Sequence, residues 1–296
     1  MDIRTYLREK KGIVDEALQG FAPRQEGPTE KVARAMNYSL FAGGKRLRPI
    51  LCMAGAEAVG GDERLVLPVA CALEMIHTYS LIHDDLPVMD NDDLRRGKPT
   101  SHKAFGEAVA LLAGDGLLTE AFALMARTEF SGVPEPRTLL RVIALIARAA
   151  GHKGMVGGQA VDIVSEGKQV DAATVQFIHT HKTGALIAAS VVSGAILGGG
   201  NEGRVKAITD YGEATGLAFQ IADDILDIEG DSEKMGKRAG GDVRKKKITY
   251  PSVLGLEESR RIQGTMVEKA LFALEGFDRR ADPLRDLARY IVERNQ

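Results

Sequence analysis

Six aspartates in two clusters carry the chemistry that this chain is built for. Asp84-Asp85-Leu86-Pro87-Val88-Met89-Asp90 and Asp223-Asp224-Ile225-Leu226-Asp227 each close a long apolar stretch of helical period. Carboxylates in such places are costly unless something cationic neutralises them. Three hard oxygen ligands at each of two sites point to several Mg²⁺ ions, and Mg²⁺ commonly bridges protein carboxylates to a phosphorylated substrate. Chemistry on a diphosphate is the first expectation. The competing reading is a solvated acidic loop, or aspartates paired with Arg95 and Arg96.

Spacing separates the clusters. Asp223 and Asp227 stand four residues apart and share one helix face, while Asp224 points to a neighbour. The first cluster is not regular helix throughout, because Pro87 lacks an N–H and disfavours helical geometry at Leu86. The helix is expected to end near Asp85 or Leu86, with Asp90 brought back by the following turn. Asp84 and Asp85 then sit at a negative helix C-terminus, which again calls for a cation.

The basic residues supply the other half. Gly43-Gly44-Lys45-Arg46-Leu47-Arg48-Pro49 opens a helix. Its glycines let the backbone approach a ligand, and Lys45 and Arg48 add donors near a positive helix N-terminus. The spacing is not that of a Walker loop, so a nucleotide is not read. Arg95-Arg96 offers forked donors for phosphate oxygens. Lys237, Lys245, Lys246 and Lys247 follow the second cluster in a Gly-rich stretch that suits a lid or a solvated loop. His77 lies two turns before Asp84 on nearly the same face, either touching ligand or purely structural. No Ser–His–Asp or Cys–His arrangement and no thiol or imidazole cluster for zinc is visible.

The elements that must position these groups read as helix nearly everywhere. Apolar residues recur at three and four positions through 3–19, 30–41, 49–59, 63–86, 107–128, 137–150, 172–198, 203–229 and 281–294. Gly and Pro clusters, including Gly157-Gly158, Pro251 and Pro283, punctuate them. No stretch alternates like a strand. Aromatic residues are only 5% of the chain, which suits close helix packing. With 39 basic against 41 acidic residues there is no global pull toward nucleic acid or an anionic membrane. Cys52 and Cys71 are expected as inert core residues in a reducing compartment, the cytoplasm. The N-terminus is charged and amphipathic, unlike a secretory signal. Residues 183–201 carry no charge, and are read as a buried central helix rather than a membrane span. The chain, 1–296, is expected to form one all-α domain.

Glu74-Met75-Ile76-His77-Thr78-Tyr79-Ser80-Leu81-Ile82-His83-Asp84-Asp85-Leu86-Pro87, running on to Arg95-Arg96-Gly97-Lys98-Pro99-Thr100, resembles the first aspartate-rich motif of the trans-isoprenyl diphosphate synthases. Phe219-Gln220-Ile221-Ala222-Asp223-Asp224-Ile225-Leu226-Asp227 resembles their second. The stretch from Gly43 to Pro49, Gly157-Gly158-Gln159, Lys182-Thr183 and Lys247-Ile248-Thr249-Tyr250-Pro251 match in order, so the resemblance covers essentially the whole chain. The four residues between Asp85 and Asp90 are of the bacterial and plant type, and within that group the chain is most similar to the bacterial farnesyl diphosphate synthases.

The resemblance implies an all-α bundle around a deep central cavity, usually a homodimer. It implies head-to-tail (1'-4) condensation of isopentenyl diphosphate with dimethylallyl and then geranyl diphosphate. Asp84 and Asp90 would hold two Mg²⁺ with Asp85 assisting, and Asp223 a third with Asp224 and Asp227 nearby. Arg95, Lys182, Thr183, Gln220, Lys237 and Lys247 would contact the allylic diphosphate. Gly44, Lys45, Arg48, His77 and Arg96 would hold isopentenyl diphosphate. Tyr79, followed by the small Ser80, would form the floor that stops growth at fifteen carbons. A geranylgeranyl diphosphate synthase, a non-catalytic prenyl synthase subunit and a terpene cyclase are the alternatives.

Overall fold

The computed structural model describes residues 2–127, 135–229 and 248–293. Its helices are α1 (Ile3–Phe21), α2 (Glu30–Leu40), α3 (Leu47–Val59), α4 (Leu67–Asp84), α5 (Ser101–Phe105), α6 (Glu107–Met125) and α7 (Pro136–Ala150). After them come α8 (Met155–Ser165), α9 (Ala172–Ile178), α10 (Ala185–Leu197), α11 (Glu202–Glu229), α12 (Tyr250–Leu254), α13 (Leu256–Ala273) and α14 (Asp282–Glu293). Side-chain caps start several of them. Asp2 accepts from the amides of Arg4 and Thr5, Asp171 accepts from Thr174, and Thr249 with Ser252 forms a capping box. Each satisfies amides that the first turn leaves without partners.

Most of the core is one cluster running through α1, α3, α4, α6, α7, α10 and α11. A smaller one joins Val175, Leu217, Ile221, Ile225, Ile248 and Tyr250 beneath the second aspartate cluster. Glycines set how closely the central helices approach. A Cβ on Gly55 of α3 would strike the Val191 carbonyl oxygen of α10, and a Cβ on Gly194 of α10 would strike that of Cys52. The uncharged stretch is thus a buried helix, as its composition implied. Glu63–Asp84 and Glu107–Met125 are long and apolar enough to cross a membrane by length and composition. In the first, 67% of the apolar window is buried inside the bundle, so packing alone accounts for its apolarity.

Four helices, α5, α8, α12 and α13, lie outside the segments of clear apolar periodicity. The glycines of Gly157-Gly158 were expected to break the chain, yet they lie inside α8. A Cβ on Gly158 would collide with the backbone nitrogen of Lys182, so that glycine serves close contact rather than a turn. Pro251 and Pro283 sit in the first turns of α12 and α14, where a missing N–H costs nothing. Short α5 and charge-rich α13 lack a clean apolar stripe. The expected helix over 172–198 is two helices joined by a π-helical segment, His179–Gly184. Among the described residues there is one two-stranded ribbon, β1 (Leu94–Arg95) with β2 (Lys98–Pro99), antiparallel across Arg96-Gly97. Both turn residues have positive φ, 53° and 76°, as a two-residue hairpin demands.

Gly194→Ala should lower stability by about 3 kcal/mol, the top of the range for overpacking, because backbone rather than a flexible side chain blocks the methyl. Gly12→Ala in α1, where a Cβ meets open space, should instead gain about 0.5–1 kcal/mol. Urea melts of the two variants check the contrast.

Candidate active site

The first aspartate cluster is built by the end of α4. Asp85 caps the helix, and the Leu86 amide donates to the His83 carbonyl at 3.1 Å. The chain then doubles back, and the Asp90 amide donates to the Asp84 carbonyl at 2.8 Å. Asp84 and Asp90 are half-buried neighbours, as the proline placement implied. Asp85 is 3% exposed and faces away from them into the protein. Arg95 Nε lies 2.8 Å from both of its oxygens, and Nη2 is 2.5 Å from Oδ1. Burial pushes Asp85 up from the ordinary carboxylate range, and Arg95 opposes that shift. Asp85 is thus engaged by Arg95, as the ion-pair reading of the sequence expected, while Asp84 and Asp90 remain the half-buried members of the cluster. Arg95 is an anchored residue at the rim of the site.

The glycine-rich loop faces this cluster. Gly43 and Gly44 have φ of 99° and 131°, which only glycine adopts without strain. The lost side chain at Gly44 makes room for Arg96, whose Cζ would lie 2.7 Å from a Cβ there. Arg96 in turn donates to the Gly43 carbonyl. The loop is held by a residue with no distinctive sequence signal. Arg46 is 3% exposed and has a left-handed backbone. Its guanidinium donates to Asp15 Oδ1 and Glu74 Oε1, each at 2.8 Å, and to the Leu40 carbonyl at 2.9 Å. Its only sequence signal was membership of a basic run.

Arg48 follows in the first turn of α3. Its Nε is buried without a hydrogen-bond partner. Burial pulls this guanidinium down to about 10, Glu74 and Asp223 pull it up, and Arg96 pulls it down further. A guanidinium in that condition calls for an anion. Beside it, burial pushes His77 well below the ordinary imidazole range, helped by Arg48, Arg96, Arg95 and Arg46. His77 is neutral at physiological pH, and its Nδ1 is buried without a partner.

The second cluster lies on α11. Asp223 and Asp227 are half-buried on one face. Asp224 is 4% exposed and points the other way, to His179 Nε2 at 2.6 Å and the Tyr250 amide at 2.9 Å. Gln220 Nε2 reaches Asp224 at 3.5 Å, so it leans on that aspartate. Asp224 thus joins Asp85 as a buried carboxylate engaged by protein partners. The π segment that supplies His179 also carries Lys182 and Thr183. A π bulge inserts one extra residue per turn and is frequent at functional sites. Lys182 Nζ lies 2.6 Å from Asp162 Oδ2 of α8, and Thr183 is half-buried beside it. Lys237, Lys245, Lys246 and Lys247 fall outside the described residues.

The remaining carboxylates fit divalent ions in a particular way. Among the described residues, no three His, Cys, Asp or Glu side chains stand close enough to hold an ion by themselves. Asp84, Asp90, Asp223 and Asp227 offer hard oxygens, but an ion there would need oxygens from a bound phosphate to complete its shell. That is the habit of Mg²⁺.

A cavity of about 370 Å³ lies behind the glycine loop, bounded by α1, α3, α10, α11 and α14. Gly44 and Lys45 stand at its polar edge, with Leu47, Leu51, Phe219 and Tyr290 among its walls. Tyr79 is not among the residues lining this cavity; it is 6% exposed and packs edge-to-face on His83, with ring centres 5.6 Å apart. Burial and Asp84 push its phenol up to about 12. The Ser80 hydroxyl turns back to the His77 carbonyl at 2.8 Å.

The polyprenyl synthetase family profile matches residues 29–277. A farnesyl diphosphate synthase of Geobacillus stearothermophilus is 50% identical over 94% of this chain and 91% of its own length. A geranylgeranyl diphosphate synthase of Cyanophora paradoxa is 49% identical over 99% and 97%. The large subunit 1 of the heterodimeric chloroplast geranylgeranyl pyrophosphate synthase of Arabidopsis thaliana is 49% identical over 99% and 80%. The crystal structure of an FPP/GFPP synthase from Zymomonas mobilis superposes with a TM-score of 0.86 at 39% identity, covering 98% of this chain and 99% of that one. A geranylgeranyl pyrophosphate synthetase from Pyrococcus horikoshii superposes with a TM-score of 0.89 at 34% identity, covering 99% and 98%. The chain belongs to the polyprenyl synthetase family, a family of prenyltransferases.

Glu74→Gln should cost about 3 kcal/mol, the lower end for breaking a buried pair, because Asp15 still serves Arg46. The midpoint of chemical denaturation measures it. A loss under about 1 kcal/mol, the size of an exposed pair, would remove Glu74 as the anchor of the loop.

Proposed function

We propose that this protein condenses isopentenyl diphosphate head-to-tail with dimethylallyl and then geranyl diphosphate, releasing farnesyl diphosphate. The observation that carries the reading is half-buried Arg48, whose Nε is buried without a hydrogen-bond partner, next to a neutral His77 and within Coulombic reach of Asp223. Arg48, Arg96, Lys45 and His77 hold the isopentenyl diphosphate. Arg95, Lys182 and Thr183 line the allylic diphosphate, and Asp84, Asp90, Asp223 and Asp227 face it. Asp84, Asp90, Asp223 and Asp227 would hold Mg²⁺, three ions per site by the family's habit, which would supply positive charge against the departing diphosphate.

The chain's own residues do the rest. Fixed guanidiniums oppose the charge that develops on the leaving oxygen, and they need no reorganisation as it forms. His77 offers an N–H without adding a further net charge. The apolar walls exclude water from the allylic cation, which water would quench. The C1 carbon of the allylic group loses its C–O bond and gains a bond from the isopentenyl double bond. The departed diphosphate takes the proton, so no side-chain base is assigned.

The protein is proposed to work as a homodimer in the cytoplasm. Leu111 and Leu112 of α6 are 46% and 53% exposed, a face suited to a second copy. Cys52 and Cys71 are buried free thiols, in keeping with a reducing setting. A geranylgeranyl product is the second reading, favoured by relatives of that name at nearly the same identity.

Tyr79 is assigned as the floor that sets fifteen carbons. A buried aromatic ring is hard to displace from a packed wall. Geranyl diphosphate with excess isopentenyl diphosphate should give farnesol after dephosphorylation, and Tyr79→Ala should shift product to twenty carbons or more. Omitting isopentenyl diphosphate should abolish new hydrocarbon, whereas a cyclase would still convert the allylic substrate. Geranylgeraniol from the wild type would move the product to the second reading, and an active variant that still stops at farnesol would place the floor elsewhere.

A further inference from the structure

Lys182 lies on the π segment, and its long flexible stem leaves the ammonium free to point in many directions. The structure gives it one. Asp162, 8% exposed, stands 2.6 Å from Lys182 Nζ. The two helices carrying them touch through backbone, because a Cβ on Gly158 would run into the Lys182 nitrogen and Cα. Gly158 and Asp162 are four residues apart and share one face of α8. The glycine therefore sets the separation of the two backbones, and the carboxylate one turn on receives the lysine. Gln159 Oε1 is buried on the same helix without a partner, so this end of α8 carries more polar capacity than the core needs.

We infer that Asp162 is a positioning residue for the allylic diphosphate, acting through Lys182. The inference rests on Lys182 being a diphosphate contact. A short carboxylate that is itself buried has few rotamers, so it fixes the ammonium far better than the lysine stem does alone. Placement of a charge to within an ångström is worth large factors in rate. The π bulge and α8 then act together: the bulge turns Lys182 out of the helical register, and Asp162 holds the tip where the bulge delivers it.

The test uses the intact protein, steady-state kinetics and thermal melts on Asp162→Asn, Asp162→Glu, Lys182→Ala and the Asp162→Asn/Lys182→Ala pair. Asp162→Asn should lower kcat/KM for the allylic diphosphate about tenfold or more, while KM for isopentenyl diphosphate stays within about twofold and the melting temperature barely moves. Asp162→Glu should recover part of the loss. The double variant should be no worse than Lys182→Ala, because residues acting as one unit are not additive. Allylic kinetics unchanged in Asp162→Asn, additive losses in the pair, or equal damage to both substrates with a matching fall in melting temperature would each overturn the inference. If Lys182→Ala itself leaves the allylic substrate unaffected, the assignment of Lys182 fails first, a result separable from failure of Asp162 alone.

Discussion

The site depends on one buried guanidinium. Arg46 ties three parts of the chain together, with Asp15 on α1, the Leu40 carbonyl at the end of α2 and Glu74 in the middle of α4. It is itself the left-handed residue from which α3 starts, two residues before Arg48. Through Glu74 it also fixes α4, which carries Asp84 ten residues, or about 15 Å, further on. A buried pair of this kind adds little stability compared with well-packed apolar residues, yet losing one partner is severe. Its value here is geometric, since it sets the glycine-rich loop against the helix that presents the first acidic cluster.

Both aspartate doublets divide their labour in the same way. Adjacent residues on a helix point about 100° apart, so one member of each pair stays half-exposed and the other turns into the protein. Asp84 and Asp223 take the first direction. Asp85 takes the second and is used up by Arg95, as Asp224 is by His179 and the Tyr250 amide. The inward aspartates bring distant segments to the site. Asp85 pins the ribbon that carries Arg96, and Asp224 pins the π segment that carries Lys182. Cations and anions are thus held in place in pairs, and Arg48 and Arg96 have no ion-pair partner among the described residues.

Much of this was legible in the residues. The end of α4 at Pro87, the return of Asp90 and the shared face of Asp223 and Asp227 all follow from proline sterics and helical period. Three things were hidden. Gly157-Gly158 looks like a break because sequence does not distinguish a glycine that turns the chain from one that admits a neighbouring backbone. The π segment leaves the apolar pattern of 172–198 nearly intact while rotating one end against the other. Arg46 sits between two other basic residues and differs from them only in what it meets after folding. Asp162 and His179 belong to the same class, since their partners lie 20 and 45 residues away.

The central claim is that Asp84, Asp90, Asp223 and Asp227 hold metal only in concert with a diphosphate. Thermal unfolding with a non-cleavable allylic diphosphate analogue, in Mg²⁺ and in chelator, tests it most directly. At about one hundred times the dissociation constant, a ligand of the native state should raise the melting temperature by about 5 °C or more. The account predicts that rise with Mg²⁺ and analogue together, and little from either alone. Equal stabilisation by the analogue in chelator would contradict it.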